Sequence, residues 1–331
     1  MSLYPAARLN GMLFKESGAD MRPTRDGFGT GLVKAAEKNK NVVALCADLT
    51  ESTRTQAFAE QFPTRFFECG VAEQNMACVA AVLSVTGKIP FISSYASFSP
   101  GRNWEQIRTT IAYNNANVKI MGHHAGVSVG PDGATHQMTE DIALMRAMPN
   151  MRVLVPCDAI EAEKAVMAAA HIVGPVYIRF AREKSPVLTT EASPFTPGKA
   201  QVVWESHKPQ AVLIACGPIL YNALQAARIL ERAGIGTVIV HCHTVKPLDE
   251  KKITDMAKKY GAVVTVEEHQ IAGGLGGAVA ELLARTNPVP MEFIGMRDTF
   301  GSSGMPEKLF AKYGMDAPAI VAAVEKVIGR K

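Results

Sequence analysis

The chain has 331 residues, 47% of them hydrophobic and 20% charged, with 27 Gly and 19 Pro spread along its length. That length suits two domains of about 100–200 residues each, and that composition excludes a disordered, collagen-like or coiled-coil chain. Lys plus Arg number 35 against 31 Asp plus Glu, a formal +4; the charges are interspersed, so nucleic acid is not an expected partner.

After a lead over residues 1–21 for which no element is assigned, short β-rich runs alternate with Ala-rich helical patterns. This alternation predicts a parallel sheet covered on both faces. Strands are expected at Val42–Ala47, Arg65–Glu68, Ile89–Ser93, Val118–Gly122, Arg152–Pro156 and Val176–Phe180. Helices are expected between them at Thr24–Lys38, Thr53–Gln61, Ala72–Val85, Asn103–Asn114, Thr139–Met148 and Asp158–His171. The last has a clear start, because Asp158 with Glu161 three residues on can satisfy the free amides of the first turn. From Arg182 to Gly198 three prolines and several Ser and Thr break the rhythm, and residues 183–198 are the expected linker between a domain over 22–182 and one over 199–331. The second unit predicts strands at Ala211–Cys216, Thr237–His241, Ala262–Glu267 and Met291–Ile294, with helices at Leu220–Arg232, Glu250–Tyr260, Gly276–Arg285 and Ala317–Ile328. The fold class is therefore α/β, with two doubly wound α/β domains.

The six cysteines are far apart and mostly inside apolar runs, with no C-x-x-C pair. They are expected to be reduced core residues of a cytoplasmic protein. No apolar stretch approaches the roughly 20 residues that span a bilayer, and no signal peptide is evident, so neither membrane insertion nor secretion is expected.

Ligands of open α/β sheets gather at the carboxyl ends of the strands. The polar residues there form four groups: Asp48 to Ser52, Glu68 to Glu73, Ser93 to Arg102, and Met121 to Gln137. The fourth holds His123, His124, Asp132 and His136. Any one of these histidines alone reads as a solvated loop residue, but His124 and His136 flank a Gly-Pro-Asp-Gly turn that could fold both rings onto one pocket. A zinc site here is weakly supported, since no carboxylate or thiol stands at a recognised ligand spacing, and no metal ligand is assigned in this chain. Glu73 lies in the first turn of a helix that is otherwise nearly uncharged. A carboxylate there complements the positive helix end. The run from Met76 to Val85 is so apolar, however, that the helix is expected to be buried on all sides and to desolvate Glu73, which raises a carboxyl's pKa and lets it share a proton with a ligand nitrogen. Tyr95 and Phe98, with Arg102 and Trp104 close behind, are either core packing or a wall for a flat heteroaromatic ring. Gly273 to Gly277 does not complete a dinucleotide fingerprint and reads as a tight strand-to-helix turn, while His241, His243 and His269 read as structural or interface residues.

Several strings in order along the chain carry a resemblance: Pro23-Thr24-Arg25, Ala47-Asp48-Leu49-Thr50, Ala72-Glu73-Gln74-Asn75-Met76, Tyr95 to Gln106, Gly126 to Gln137, Thr244 to Asp249, and Thr265 to His269. Together they resemble the pyrimidine-binding and C-terminal domains of the transketolase family, from about Met21 onward. The resemblance implies a transferase of two-carbon ketol units between phosphorylated sugars that uses thiamine diphosphate. Transketolases normally also carry a diphosphate-binding domain whose Gly-Asp-Gly signature holds Mg²⁺ and the cofactor's diphosphate, and this sequence contains no Gly-Asp-Gly. The implied protein is thus the C-terminal half of a split transketolase, inactive alone and active in an α2β2 heterotetramer with an N-terminal partner that binds most of the Mg²⁺ site.

Carried over by position, Glu73 is implied to bond the pyrimidine N1′ and promote its imino tautomer, with Tyr95 and Phe98 packed on that ring and Asp48 near the cofactor and subunit contact. His124, Asp132 and His136 match positions that bond sugar hydroxyls, with the two histidines moving protons; Arg25, Ser52, His124 and Arg182 match the substrate side, the arginines suiting phosphate. Gly101 departs from the pattern, standing where a third aromatic is usual, with Trp104 as a possible substitute. The competing readings are a β subunit of a 2-oxo acid dehydrogenase decarboxylase, half of a 1-deoxyxylulose-5-phosphate synthase, a non-catalytic scaffold, and a nicotinamide dehydrogenase. The last fails at the absent fingerprint.

Overall fold

The computed structural model describes residues 2–15 and 19–331. Most expected elements are present. The helices Thr24–Lys38, Leu220–Arg232, Glu250–Tyr260 and Ala317–Ile328 have the expected bounds.

The first sheet has seven strands in the order Thr244–Lys246, Arg152–Leu154, Val176–Arg179, Lys119–His123, Ile89–Tyr95, Val42–Cys46, Phe66–Glu68. Six are parallel, joined by helical crossovers. The seventh, Thr244–Lys246, comes from the second half of the chain and pairs antiparallel with Arg152–Leu154. The second sheet runs Met291–Met296, Val263–Gln270, Pro209–Ala215, Gly236–His241, Gln201–Glu205, its last strand again antiparallel. Both of these large sheets are therefore mixed, where alternation predicted parallel ones, and the two halves share the first of them.

The helix Thr24–Lys38 lies on Ala159–His171 at very close range. Gly27 permits this, because a Cβ there would overlap the Ala159 carbonyl. At the start of the second helix Asp158 Oδ1 accepts from Glu161 N at 2.8 Å, the expected cap. Asp158 Oδ2 also accepts from Leu188 N at 2.8 Å, which fixes the linker. The linker is thus a packed seam, with Val187 and Leu188 buried and Lys164 Nζ donating to the carbonyls of Thr190, Glu191 and Ser193. The lead is bound as well, through Tyr4 N to Val203 O at 3.0 Å and Asn10 N to Leu188 O at 2.8 Å.

The helix Glu73–Val85 differs from expectation. Met76, Ala77 and Ala80 are buried, but Val82 and Val85 are 67% and 85% exposed, so one apolar face is open and not enclosed. The expected helix Asn103–Asn114 begins as a short α-turn at Trp104–Gln106 and continues as a π-helix over Ile107–Ala112. Several further elements were not expected, among them a six-residue 3₁₀ segment at Val127–Asp132 and a helix at Pro306–Lys312. Among the described residues no helix is long and apolar enough to cross a membrane.

Candidate functional site

The carboxyl ends of the central strands converge as the alternation implied. After Val42–Cys46 the chain turns through Asp48 at φ +58°. Glu68, ending the neighbouring strand, holds that turn by accepting from Asp48 N at 2.7 Å, Gly70 N at 3.0 Å and Thr50 Oγ1 at 3.0 Å. The Asp48 residue itself is exposed. The turn carries Ser52 inward, where its Oγ lies 3.0 Å from Tyr95 Oη. Arg25, at the start of its helix, donates to Ser52 O at 2.9 Å and comes within 3.5 Å of His124 Nε2.

Tyr95 is the hub of an aromatic group. Its ring stacks on Phe98 at 5.8 Å and lies 3.9 Å from the His124 ring and 6.1 Å from His136. Phe98 meets His136 edge-on at 5.6 Å, and Ser97 Oγ donates to His136 O at 3.0 Å. The two histidines that flank the glycine turn therefore do face one pocket. Burial, then coupling to the neighbouring His123, Arg25, Arg182 and His136, pushes His124 down to about 2, so its ring is neutral at physiological pH. A guanidinium only donates, so Nε2 is the accepting nitrogen and the ring proton sits on Nδ1. Arg182 bonds Val129 O at 3.0 Å and lies 3.7 Å from Asp132 Oδ1, which places both at the mouth of the same loop.

His123 does not join the site. It is buried between Phe28 and Phe180, at 4.8 and 5.0 Å, and burial followed by Arg25 pushes it down to about 3. It is a neutral core residue.

Glu73 is 1% exposed, as expected. Strand alternation sends Ser94 to the opposite side of the sheet from Tyr95, and Ser94 Oγ donates to Glu73 Oε1 at 2.8 Å. Arg102 Nη2 donates to Oε2, and Asn103 Nδ2 to the Glu73 backbone carbonyl at 3.0 Å. Sequence reasoning missed Ser94 and Asn103 as partners, and Arg102 as a counter-charge. The one available signal was the polar pair Arg102-Asn103 immediately before the turn at Trp104–Gln106.

One departure from the family pattern finds its reason here, and one expectation needs correction. No third aromatic can stand at Gly101 on this backbone, because a Cβ there would overlap the Ser97 carbonyl. Trp104 does not substitute for it: the indole packs on the core and donates to Leu144 O at 3.3 Å, and among the described ring contacts it meets neither Tyr95 nor Phe98.

The remaining polar clusters are structural. Glu267 accepts from Leu275 N and Gly276 N, each at 2.7 Å, so these two amides within the glycine run are already satisfied. Cys157, Glu161 and His241 bring donor atoms within 4.8 Å of one another, but Glu161 Oε2 is taken by His241 Nε2 at 2.7 Å and by Cys157 N at 2.7 Å. His269 Nε2 accepts from Ala143 N at 3.3 Å across the two halves.

A buried glutamate joined through Arg102 to a stacked aromatic pair, at the carboxyl ends of parallel strands, defines a chain of the pyrimidine-binding type found in thiamine-diphosphate enzymes. The family models agree: "Transketolase, pyrimidine binding domain" matches residues 20–187 and "Transketolase, C-terminal domain" matches 198–320. The chain belongs to the transketolase family. It is 44% identical over 304 residues to a putative transketolase C-terminal section of Methanocaldococcus jannaschii, covering 91% of this chain and 94% of that one. It is 39% identical to a 6-deoxy-6-sulfo-D-fructose transketolase subunit of a Clostridium species, covering 93% and 95%. Among solved structures it is similar to a split gene transketolase described as an inactive β4 tetramer, at 45% identity and a TM-score of 0.86 over 93% of this chain and 98% of that one.

Proposed function

We propose that this chain is the C-terminal subunit of a split transketolase. With an N-terminal partner that carries the diphosphate-binding domain, it transfers a two-carbon ketol unit from a ketose phosphate to an aldose phosphate. The observation that carries this reading is Glu73, a buried carboxylate whose partner Arg102 reaches the Phe98 ring of the Tyr95–Phe98 stack. The donor set fits the pyrimidine end of thiamine diphosphate: one buried acid to bond a ring nitrogen and two aromatic faces to pack on the ring. When bound, the cofactor supplies the carbanion-stabilising centre that carbon–carbon cleavage beside a ketose carbonyl requires.

The rest is done by the protein. Glu73 holds a proton against the ring nitrogen by a charge-assisted bond. Tyr95 and Phe98 fix the ring plane. Arg25 and Arg182, with Ser52, hold a sugar phosphate, and Asp132, His124 and His136 bond hydroxyls along the chain of the sugar. His124 does so as a neutral donor. His136, partly exposed at the mouth, is the better placed of the two to move protons. Asp48, exposed on the turn beside the site, is suited to a contact with the partner.

That partner is supported by the similar proteins, of matching length, that are themselves named as a section and a subunit. Mg²⁺ and the cofactor's diphosphate fall to the partner, the assembly is a two-plus-two heterotetramer, and the setting is the cytoplasm. The named sulfofructose transketolase subunit leaves room for sugars outside the pentose phosphates. The test is reconstitution with the partner subunit. Turnover of xylulose 5-phosphate or hydroxypyruvate with an aldose phosphate supports the reading; turnover only of pyruvate with a lipoyl protein refutes it.

A further inference from the structure

Every oxygen of Glu73 is engaged by this chain itself. Oε1 takes Ser94 Oγ at 2.8 Å, the backbone carbonyl takes Asn103 Nδ2 at 3.0 Å, and Oε2 takes Arg102 Nη2. These three donors are not equally replaceable. Ser94 sits inside a central strand and is fully buried; Asn103 is fully buried and cross-tied to Ser99 Oγ at 3.2 Å. Arg102 reaches Glu73 from the rim, with its side chain 44% exposed and its guanidinium 5.7 Å from the centre of the Phe98 ring. Glu73 is fixed in the helix start with 1% of its side chain exposed. One member of the ion pair is therefore held, and the other can swing into water.

A heteroaromatic ring nitrogen that bonds Glu73 needs one of the two carboxylate oxygens. Taking Oε1 would strand the Ser94 hydroxyl in the core, whereas taking Oε2 returns a guanidinium to solvent, where it is readily hydrated. The exchangeable position is thus the one Arg102 fills, and it lies on the side of the Phe98 ring.

We propose that Arg102 is a positioning residue that occupies Glu73 Oε2 as a placeholder, and that seating a ring nitrogen on Glu73 exchanges the guanidinium out to the rim. The inference rests on the reading of Glu73 as the pyrimidine contact and adds a competitor to it. The placeholder keeps a buried carboxylate from standing unpaired, which would be costly. In return it weakens cofactor binding by the strength of the contact that is given up. Binding should therefore be tighter without Arg102, but only for a ligand that makes the exchange.

The experiment uses the assembled two-subunit complex and measures equilibrium binding by calorimetry, without substrate. The ligands are thiamine diphosphate and its analogue with a C–H in place of the pyrimidine N1′. In R102Q the cofactor should bind about tenfold tighter, or about 1.4 kcal/mol, while the analogue is unchanged, so that the ratio of the two dissociation constants shifts about tenfold. R102K keeps the charge on a shorter reach and should shift the ratio about threefold in the same direction; it also serves if R102Q does not assemble. A ratio that stays constant, or a cofactor that binds more weakly in both variants, overturns the proposal and leaves Arg102 a structural support. If the wild-type complex binds cofactor and analogue equally well, Glu73 is not the ring-nitrogen contact, and the parent reading fails together with this one.

Discussion

Glu161 Oε2 lies 2.7 Å from His241 Nε2, and both side chains are fully buried, one on a helix of the first sheet's layer and the other on a strand of the second sheet. The pair is an electrostatic rivet between the two halves of the chain. Burial opposes both charges, yet the partners overcome it: Glu161 is pulled down to about 2 by His241, and His241 is raised by Glu161 with a smaller contribution from Asp158. Cys157 and His243 also face the pair, and burial holds the first as a thiol and the second neutral, at about 4.

The sign of the pH dependence follows. A depressed carboxylate contributes stability above its unfolded value of about 4.3, lost as pH falls toward 2; a raised imidazole contributes below its unfolded value of about 6.5, lost as pH rises through its folded value. The full contribution is present between about pH 4.5 and 6.5. Glu161→Gln should cost about 3–5 kcal/mol in that window and progressively less on either side of it. Denaturant unfolding at a series of pH values checks this, and a cost that grows steadily from pH 6 to 9 would sink it.

Gly27→Ala tests the helix contact. In an exposed helix interior the change would stabilise by about 1 kcal/mol. Here the added methyl meets the backbone carbonyl of Ala159, which cannot rotate away. Overpacking of this kind costs about 1–3 kcal/mol, so the sign should invert and the denaturation midpoint should fall.

Glu73→Ala should abolish most turnover in the reconstituted complex, by a factor of at least about 100, while leaving assembly intact and costing about 1–3 kcal/mol of stability for the Ser94 hydroxyl left without its partner. The counter-charge adds little to that cost, because Arg102 is nearly half exposed and can be solvated once left alone. Size-exclusion chromatography of the assembled complex, beside the rate measurement, separates loss of chemistry from loss of assembly. Retained turnover would remove Glu73 from the mechanism.

The core strands and longest helices were legible because each carries its own signal: a β-branched apolar run, or a helical period closed by a cap such as Asp158 or Asp249. The edge strands Gln201–Glu205 and Thr244–Lys246 carry none. The first is half polar, and the second has three residues whose place depends on pairing with Arg152–Leu154 some ninety positions away. Legibility of the site divides the same way. Tyr95, Ser52, His124 and His136 follow strand ends, so topology alone brings them together. Ser94 was hidden because a serine inside a buried strand looks like a packing residue until its partner is known. The open face at Val82 and Val85 was misjudged because a uniformly apolar helix has no period to mark which side faces out.

Arg182 offers a test of the phosphate assignment that is decided by comparing two donors. Its guanidinium is anchored by Val129 O and flanked by Asp132 and Glu183, so it presents a directed but partly screened charge at the mouth. Its positive charge also reaches Arg25, whose own value is lowered by burial, then by Arg54 and Arg182. Clustered guanidiniums of this kind repel one another and gain most from a dianion placed between them. Arg182→Ala should therefore raise KM for a phosphorylated ketose about 10- to 100-fold, the loss of one or two charge-assisted bonds, and leave KM for hydroxypyruvate, which has no phosphate, nearly unchanged. Equal increases for both donors would assign Arg182 to the loop that carries Asp132 and not to the substrate.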